Sequence, residues 1–190
     1  MEDRHILFGV FLVLALVFIS TFGSFYTGNV VYTGDKITLA NYPYPFIKNN
    51  NYNSLYIVLP NSYTIAEFDA ANNIINSIKL SDTFEPKIVT VSDIPQGEHN
   101  LILIGDSCTN SLISYYTQSK DCSLGLRSGE GLLQLFNNER TSVLVVSGYD
   151  LNSIKKASKV LSLYHAYPLR NKKVIVSGNS ESPYGYVLRF

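Results

Sequence analysis

The sequence predicts an α/β domain built on a mostly parallel sheet. Short, uninterrupted aliphatic runs are typical of strands buried on both faces, and the run at 101–104 is one of them. Gly105-Asp106-Ser107 follows this run and combines a tight turn with residues that cap helices. Amphipathic stretches with an apolar residue every three or four positions alternate with the aliphatic runs. This alternation favours a sheet with helices on both faces.

The N-terminus predicts a membrane segment. Residues 6–22 are seventeen residues without a charge, and a helix of that length spans roughly 26 Å of the hydrocarbon core, which is about 30 Å thick. Residues 1–26 are therefore expected to be a transmembrane anchor, with Phe25 and Tyr26 at the membrane interface. The alternative is a signal peptide cleaved before Ser24. The distribution of charges places the N-terminus inside and the rest of the chain outside the cell membrane.

Residues 27–52 are predicted to be a hairpin followed by a connector rich in proline and asparagine. Two short apolar runs within 28–39 flank a Gly34-Asp35 turn, which is a hairpin pattern. Segment 42–47 holds two prolines separated by one aromatic residue, and these force an extended path. We expect this segment to pack on its own domain; the alternative is a peptide ligand for another domain.

Residues 53–190 are predicted to form the α/β domain. Strands are expected at 55–59, 87–91, 101–104, 143–146 and 173–176, with an edge strand at 186–190. Helices are expected at 64–80, 107–117, 128–136 and 150–164. Thr64 and Glu67 have the spacing of a capping box, and Asp150 is expected to cap the last helix. The predicted architecture is a Rossmann-like three-layer domain.

The apolar positions of two predicted helices define the faces expected to be buried. In the first helix they are Ile65, Phe68, Ala71, Ile75 and Ile78. In the last helix they are Ile154, Ala157, Val160, Leu161 and Tyr164.

Composition excludes several classes of partner and cofactor. Fifteen basic and fifteen acidic residues cancel, so nothing indicates a nucleic-acid partner. Charged residues make up 16% of the chain, against about 25% in typical soluble proteins. Two cysteines and three scattered histidines lack the spacing of metal ligands, so no metal site is expected.

The segment at 104–107 is similar to the nucleophile block of SGNH/GDSL hydrolases, with Ser107 as the nucleophile. That chemistry needs a general base, which this family supplies as Asp-x-x-His near the C-terminus. The chain has three histidines: His5, His99 and His165. Ser162 stands where an aspartate would precede His165. We therefore expect Asp106 and Ser107 to be capping residues and the protein not to be an enzyme, with no catalytic residues.

Two glycine-containing turns are candidates for nucleotide or phosphate binding. Gly129-Glu130-Gly131 is predicted to begin a helix but follows no predicted strand and lacks a third glycine, so it fails as a dinucleotide motif. Gly148-Tyr149-Asp150 joins a strand to a helix, where a phosphate could bind, but an aspartate cap repels an anion. No cofactor is expected.

Cys108 and Cys122 are the only cysteines of the chain. An oxidising exterior favours a disulfide between them, and we predict this bond. The alternatives are two buried free thiols, or a reactive Cys108 with its pKa lowered at a helix N-terminus.

Over about residues 41–177 the chain resembles archaeal surface-layer (S-layer) proteins and the small membrane-anchored proteins that share their domain. The resemblance is carried, in this order, by segments 42–47, 100–111, 121–122, 129–136, 143–150 and 155–161. It implies a non-catalytic structural component of the archaeal cell envelope, S-layer or S-layer-associated. The implied partners are membrane lipid through the N-terminal helix, and other envelope or S-layer proteins, including copies of this chain. The alternatives are a pilin-like filament subunit and a secreted SGNH-like hydrolase.

Overall fold

A seven-stranded sheet with helices on both faces forms the centre of the computed structural model. The structure describes residues 37–49, 51–52, 54–80, 86–138, 140–178 and 185–190. The predicted membrane segment 1–26 and most of the predicted hairpin at 28–39 lie outside these residues. Within the described part of the chain, no helix is both long enough and apolar enough to cross a membrane.

The elements follow one another in a regular order. The strands are β1 (Ile47–Lys48), β2 (Asn51–Tyr52), β3 (Leu55–Leu59), β4 (Lys87–Thr90), β5 (Asn100–Ile104), β6 (Gly131–Asn137), β7 (Ser142–Gly148), β8 (Lys173–Gly178) and β9 (Tyr186–Arg189). The helices are α1 (Ile65–Ile78), α2 (Ser111–Thr117) and α3 (Leu151–Ser162). Single turns of 3-10 helix occur at Leu39–Asn41 and Val91–Asp93.

Strands β3 to β9 form the main sheet in the order β4-β3-β5-β7-β6-β8-β9. β3 is parallel to β4 and β5, and β5 is parallel to β7. β6 is antiparallel to both of its neighbours, β7 and β8, and β9 is antiparallel to β8. Every strand except β6 and β9 therefore points the same way, which confirms the predicted α/β class with a mostly parallel sheet.

Side chains alternate between the two faces of the sheet, and both faces are buried at its centre. Ile57, Ile102 and Leu144 are register partners on the face that α1 and α3 cover, and all three are fully buried. Leu103 and Val145 lie on the opposite face and pack in one cluster with Ile113 of α2.

Two paired glycines allow α3 to lie directly on the sheet. Gly131 of β6 and Gly148 of β7 are register partners. A Cβ on Gly131 would lie 2.5 Å from the Ser153 carbonyl oxygen, and one on Gly148 would lie 2.5 Å from the Ile154 nitrogen. Real Cβ atoms do not come this close, so any larger residue would push α3 away.

The predicted helix at 128–136 is wrong, because this segment forms strand β6. Its apolar residues fit a strand as well as a helix: Leu133 and Leu135 alternate with Leu132 and Phe136 across the two faces. A central strand is apolar on both faces, so its sequence does not show the polar-apolar alternation that identifies a half-exposed strand.

Helix α1 has the predicted start but a different buried face. Thr64 Oγ1 accepts a hydrogen bond from the Glu67 nitrogen, and Glu67 Oε2 accepts one from the Thr64 nitrogen at 2.7 Å, which confirms the capping box. The prediction that Ile65 and Phe68 are buried is wrong, since they are 82% and 39% exposed. The buried stripe begins a turn later, at Ala70, Ala71 and Ile74, and continues through Ile75 and Ile78.

Helix α3 agrees with its prediction more closely. Asp150 caps it, with Oδ1 accepting from the Ser153 nitrogen at 2.8 Å. The four predicted apolar positions inside the helix are buried: Ile154, Ala157, Val160 and Leu161. Tyr164 lies beyond the helix end and is half-buried.

An N-terminal strap, residues 37–49 and 51–52, packs across the C-terminal ends of α1 and α3. The Tyr42 ring meets the Tyr164 ring edge-on at 5.1 Å, and the Tyr52 hydroxyl donates to the Ile78 carbonyl at 3.2 Å. Phe46 is fully buried. Segment 42–47 therefore packs on its own domain as predicted. The extended path expected for it is wrong, because the segment turns: the Tyr44 nitrogen donates to the Asn41 carbonyl at 2.9 Å and the Ile47 nitrogen to the Pro43 carbonyl at 3.1 Å. Leu39, predicted in a strand, lies in a 3-10 turn.

The two long helices make crossovers of opposite hand. α1 connects β3 to β4 toward one edge of the sheet, and α3 connects β7 to β8 toward the other edge. Both helices lie on the same face, where Lys155 Nζ and Asp69 Oδ2 are 4.0 Å apart. One of the crossovers is consequently left-handed, an arrangement that parallel sheets almost always avoid.

Candidate functional site

The carboxyl ends of β3, β5 and β7 meet at one edge of the sheet, where α/β proteins usually bind their ligands. We call residues 60–64, 105–110 and 149–150 the carboxyl edge. Gly105 in its centre has φ +128, and a Cβ there would lie 3.1 Å from the Pro60 ring. The backbone after β5 therefore turns sharply beneath the loop that follows β3.

Two capping residues shape the turn after β5. Asp106 Oδ1 accepts hydrogen bonds from the nitrogens of Cys108 and Thr109, at 2.7 and 2.9 Å. Asn110 is completely buried, and its Nδ2 donates to the Ile104 carbonyl at 3.1 Å while its Oδ1 accepts from the Leu112 nitrogen. The predicted helix start at 107 is therefore wrong: Asp106 closes a turn, and α2 begins only after Asn110.

The structure contains the predicted disulfide between Cys108 and Cys122, with Cα atoms 5.0 Å apart. Both cysteines of the chain are in this bond, so the free-thiol alternatives do not apply. Beside it, the Asp121 carboxylate accepts hydrogen bonds from Ser123 and from the Gly125 nitrogen. These bonds lower the pKa of Asp121. The disulfide thus ties an ordered turn to the start of α2.

The segment between Cys122 and β6 is fixed by its own side chains and by one arginine of β9. Leu126 is buried, and Glu130 Oε2 accepts a hydrogen bond from the Arg127 nitrogen at 2.9 Å. Glu130 Oε1 pairs with Arg189 Nη2 of β9 at 2.8 Å. The Arg127 bond first, and then the Arg189 charge, lower the pKa of Glu130 despite its burial.

The structure separates Ser107 from the described histidines. Ser107 is 6% exposed, and its hydroxyl donates to the Asp121 carbonyl oxygen at 2.7 Å. His99 precedes the five-residue strand β5 and Ser107 follows it, which places them about 16 Å apart along the strand. His165 follows the C-terminal end of α3, at the same edge of the sheet as His99. His5 lies outside the described residues.

Neither predicted glycine turn forms an open phosphate site. Glu130 lies between Gly129 and Gly131, and its carboxylate accepts hydrogen bonds from the Arg127 nitrogen and from Arg189. Asp150 occupies the N-cap of α3, and the hydrogen bonds from Ser153 lower its pKa. The residues that the structure describes include no group of three metal-ligating side chains.

A second concave region lies at the amino ends of the strands, and sequence reasoning missed it. This amino-edge cleft has a volume of about 570 Å³ and is lined by Ile94, Glu98, His99, Leu101, Tyr116 and Arg140, among others. It forms where the crossover before β5 meets the turn between β6 and β7. With a helix predicted at 128–136, the sequence does not predict the turn between β6 and β7. Of the residues that line the cleft, only His99 is therefore considered, as a candidate base.

No protein-family model matches the chain, and no curated protein matches its sequence.

Proposed function

We propose that this protein is a non-catalytic structural component of the archaeal cell envelope, S-layer or S-layer-associated. Its N-terminal helix anchors it in the cell membrane, and a short hairpin leads to a Rossmann-like domain on the outside. Its partners are membrane lipid and other envelope proteins, including copies of itself. The resemblance over residues 41–177 supports this proposal.

The observation that carries the proposal is the use of polar side chains at the carboxyl edge. Asp106, Ser107, Asn110 and Asp150 each make a hydrogen bond that stabilises a turn, a loop or a helix start, and Glu67 of α1 completes the capping box with Thr64 of the same edge. A hydrolase at this edge would need a serine aligned with a base and donors aimed at a developing oxyanion. These side chains instead use their polar atoms in hydrogen bonds within the protein, which favours a structural role.

The disulfide supports the location outside the cell. Disulfides persist in oxidising compartments, and the cytosol keeps thiols reduced. The bond closes a segment with sequence separation 14 that contains the short helix α2. A cross-link that stiffens a loop-rich segment suits a protein exposed on a cell surface.

The test is fractionation of archaeal cells that produce the full chain with a C-terminal tag. We expect the tag in the envelope fraction, crosslinked to envelope proteins, and removed when intact cells are treated with protease. A cytosolic protein in the same cells serves as the control for leakage. Recovery of the chain in the cytosol, or protection of the tag from protease, would contradict the proposal.

One further variant distinguishes membrane anchoring from binding to envelope proteins, and one further assay tests for catalysis. Replacing residues 1–26 by a cleavable signal peptide should release the domain from the membrane, while contacts with envelope proteins would retain part of it. The purified chain should turn over no acyl ester. Turnover that disappears in Ser107→Ala would assign the protein to the hydrolases instead.

A further inference from the structure

We propose that the amino-edge cleft binds an uncharged sugar, at the scale of a single pyranose ring. The proposal does not depend on the envelope role, because it rests on the shape and chemistry of the cleft. Its volume of about 570 Å³ lies within the usual range for small-molecule sites, roughly 300–1,000 Å³.

The floor of the cleft is apolar and partly aromatic. Ile94, Leu101 and Tyr116 line it, and all three pack on the core cluster beneath α2. The Tyr116 ring is held in place by Phe136 at 5.7 Å and by the edge of Tyr115 at 5.2 Å. An aromatic ring in a fixed position offers a flat surface for the C–H face of a sugar.

Among the described residues, the rim of the cleft is polar and its two opposite charges, Arg140 and Glu98, are paired. Arg140 Nη1 and Glu98 Oε1 are 2.8 Å apart and link the two loops that form the cleft. Their side chains are 74% and 59% exposed, so unused N–H groups and carboxylate lone pairs remain accessible. Asn138 Oδ1 accepts from the nitrogens of Arg140 and Thr141, which fixes its amide at the rim.

His99 forms part of the wall of the cleft. Among the described residues neither of its buried ring nitrogens has a hydrogen-bond partner, and the ring lies edge-on to Tyr56 at 4.9 Å. A Cβ on Gly97 would lie 3.5 Å from Nε2, so the Gly97 backbone lies close to this side of the ring. Because both nitrogens are buried, His99 contributes the surface of its ring to the wall of the cleft.

These features select an uncharged, hydroxyl-rich ligand over other classes. A charged ligand would have to compete with the Glu98–Arg140 pair for the group of opposite charge. A purely apolar ligand would desolvate the polar groups of the rim without giving them partners, at a cost in free energy. Sugar hydroxyls donate and accept without breaking the ion pair, and the sugar ring covers Tyr116.

The experiment uses the full chain in phospholipid nanodiscs, because sugar-based detergents would compete for the cleft. The probes are the methyl glycosides of glucose, galactose, mannose and N-acetylglucosamine, followed by saturation-transfer NMR. We expect saturation of the ring protons of at least one glycoside. We expect Arg140→Ala and Tyr116→Ala each to weaken its binding by about tenfold, and Tyr116→Phe to retain it.

Matched controls are available in the same chain. Arg170 is exposed and Tyr149 is 48% exposed, and neither lines the cleft, so Arg170→Ala and Tyr149→Ala should bind as the unmodified chain does. Arg140 is too exposed for its removal to unfold the domain, which protects the test from a folding artefact.

Three results would overturn the sugar site. They are no saturation with any of the four glycosides, equal binding in Arg140→Ala and Arg170→Ala, or displacement of the glycoside by free leucine as a zwitterionic competitor. The envelope role is judged separately: a chain found in the envelope that binds no glycoside overturns the sugar site alone. A chain that binds a glycoside but resides in the cytosol overturns the envelope role alone.

Discussion

The Ser107 hydroxyl donates a hydrogen bond to the carbonyl oxygen of Asp121, 2.7 Å away. Cys108 and Cys122 directly follow these two residues in the chain, and a disulfide joins them. Two adjacent connections therefore hold the turn after β5 to the loop that leads to β6. The serine that most resembles a nucleophile in the sequence is one half of this structural link.

Replacing Ser107 by alanine should reduce stability modestly. The Asp121 carbonyl would lose one of its two donors and keep the Leu124 nitrogen, and an intramolecular hydrogen bond contributes about 1 kcal/mol to the free energy of unfolding. Urea denaturation of the oxidised chain measures this loss. Ser62→Ala at an exposed loop position is the control and should change stability by less than about 0.5 kcal/mol. Equal stabilities of the two variants would contradict a structural role for the Ser107 hydroxyl.

Removing the disulfide should have a larger effect than removing the hydrogen bond. The bond joins residues with a sequence separation of 14, and closing a loop of about 15 residues stabilises by roughly 3 kcal/mol in the chain-entropy model. Urea denaturation of the double variant Cys108→Ser, Cys122→Ser measures this difference. Peptide mapping without reductant should recover the two cysteine peptides joined. Free alkylation of both thiols in the native, unreduced chain would refute the bond.

A methyl group at Gly131 should disrupt the contact between β6 and α3. Its Cβ would lie 2.5 Å from the Ser153 carbonyl, and overpacking of this kind costs about 1–3 kcal/mol or more. Gly125→Ala measures backbone strain without a clash, because a Cβ there meets nothing within 4 Å and its whole cost, about 1–2 kcal/mol, comes from placing alanine at φ +70. Thermal unfolding should show a clearly greater loss for Gly131→Ala than for Gly125→Ala. The reverse order would mean that α3 does not lie close to β6.

Glu130 should make stability depend on acidity. Its pKa is lowered in the folded chain, so its contribution is present above the ordinary glutamate value of about 4.3 and is lost as pH falls through the folded pKa. Glu130→Gln should therefore be less stable at pH 7 and lose less stability on acidification. Urea denaturation at pH 7 and below pH 4 measures both effects.

Arg189→Ala is the matched control for Glu130. It keeps the carboxylate and the hydrogen bond from the Arg127 nitrogen, which is the largest cause of the lowered pKa. This variant should retain more of the acid dependence than Glu130→Gln. Identical acid profiles for all three chains would show that Glu130 is not the titrating group.

The elements that sequence reasoning predicted correctly depend on local chemistry. The Thr64–Glu67 capping box and the Asp150 cap connect residues three positions apart, so the pattern is visible in the chain itself. The disulfide could be predicted because the chain has only two cysteines.

The features that it missed depend on tertiary structure. β6 is apolar on both faces because it lies between β7 and β8, and only that position explains its pattern. The amino-edge cleft brings together Glu98 and Arg140, which are 42 residues apart in sequence. Their meeting requires the turn after β6, so the error on β6 also concealed the cleft.

The β6–β7 hairpin has a consequence for the order in which the chain folds. β6 and β7 pair from Gly131–Gly148 to Asn137–Ser142, so their contacts are local, and local contacts form fastest. Once formed, the hairpin has a free edge on β6. β8 follows α3 in the chain and can pair with that edge afterwards. The C-terminal half of the sheet would thus grow from a preformed template, whereas the parallel pairs of β3 and β5 must wait for segments far apart in sequence.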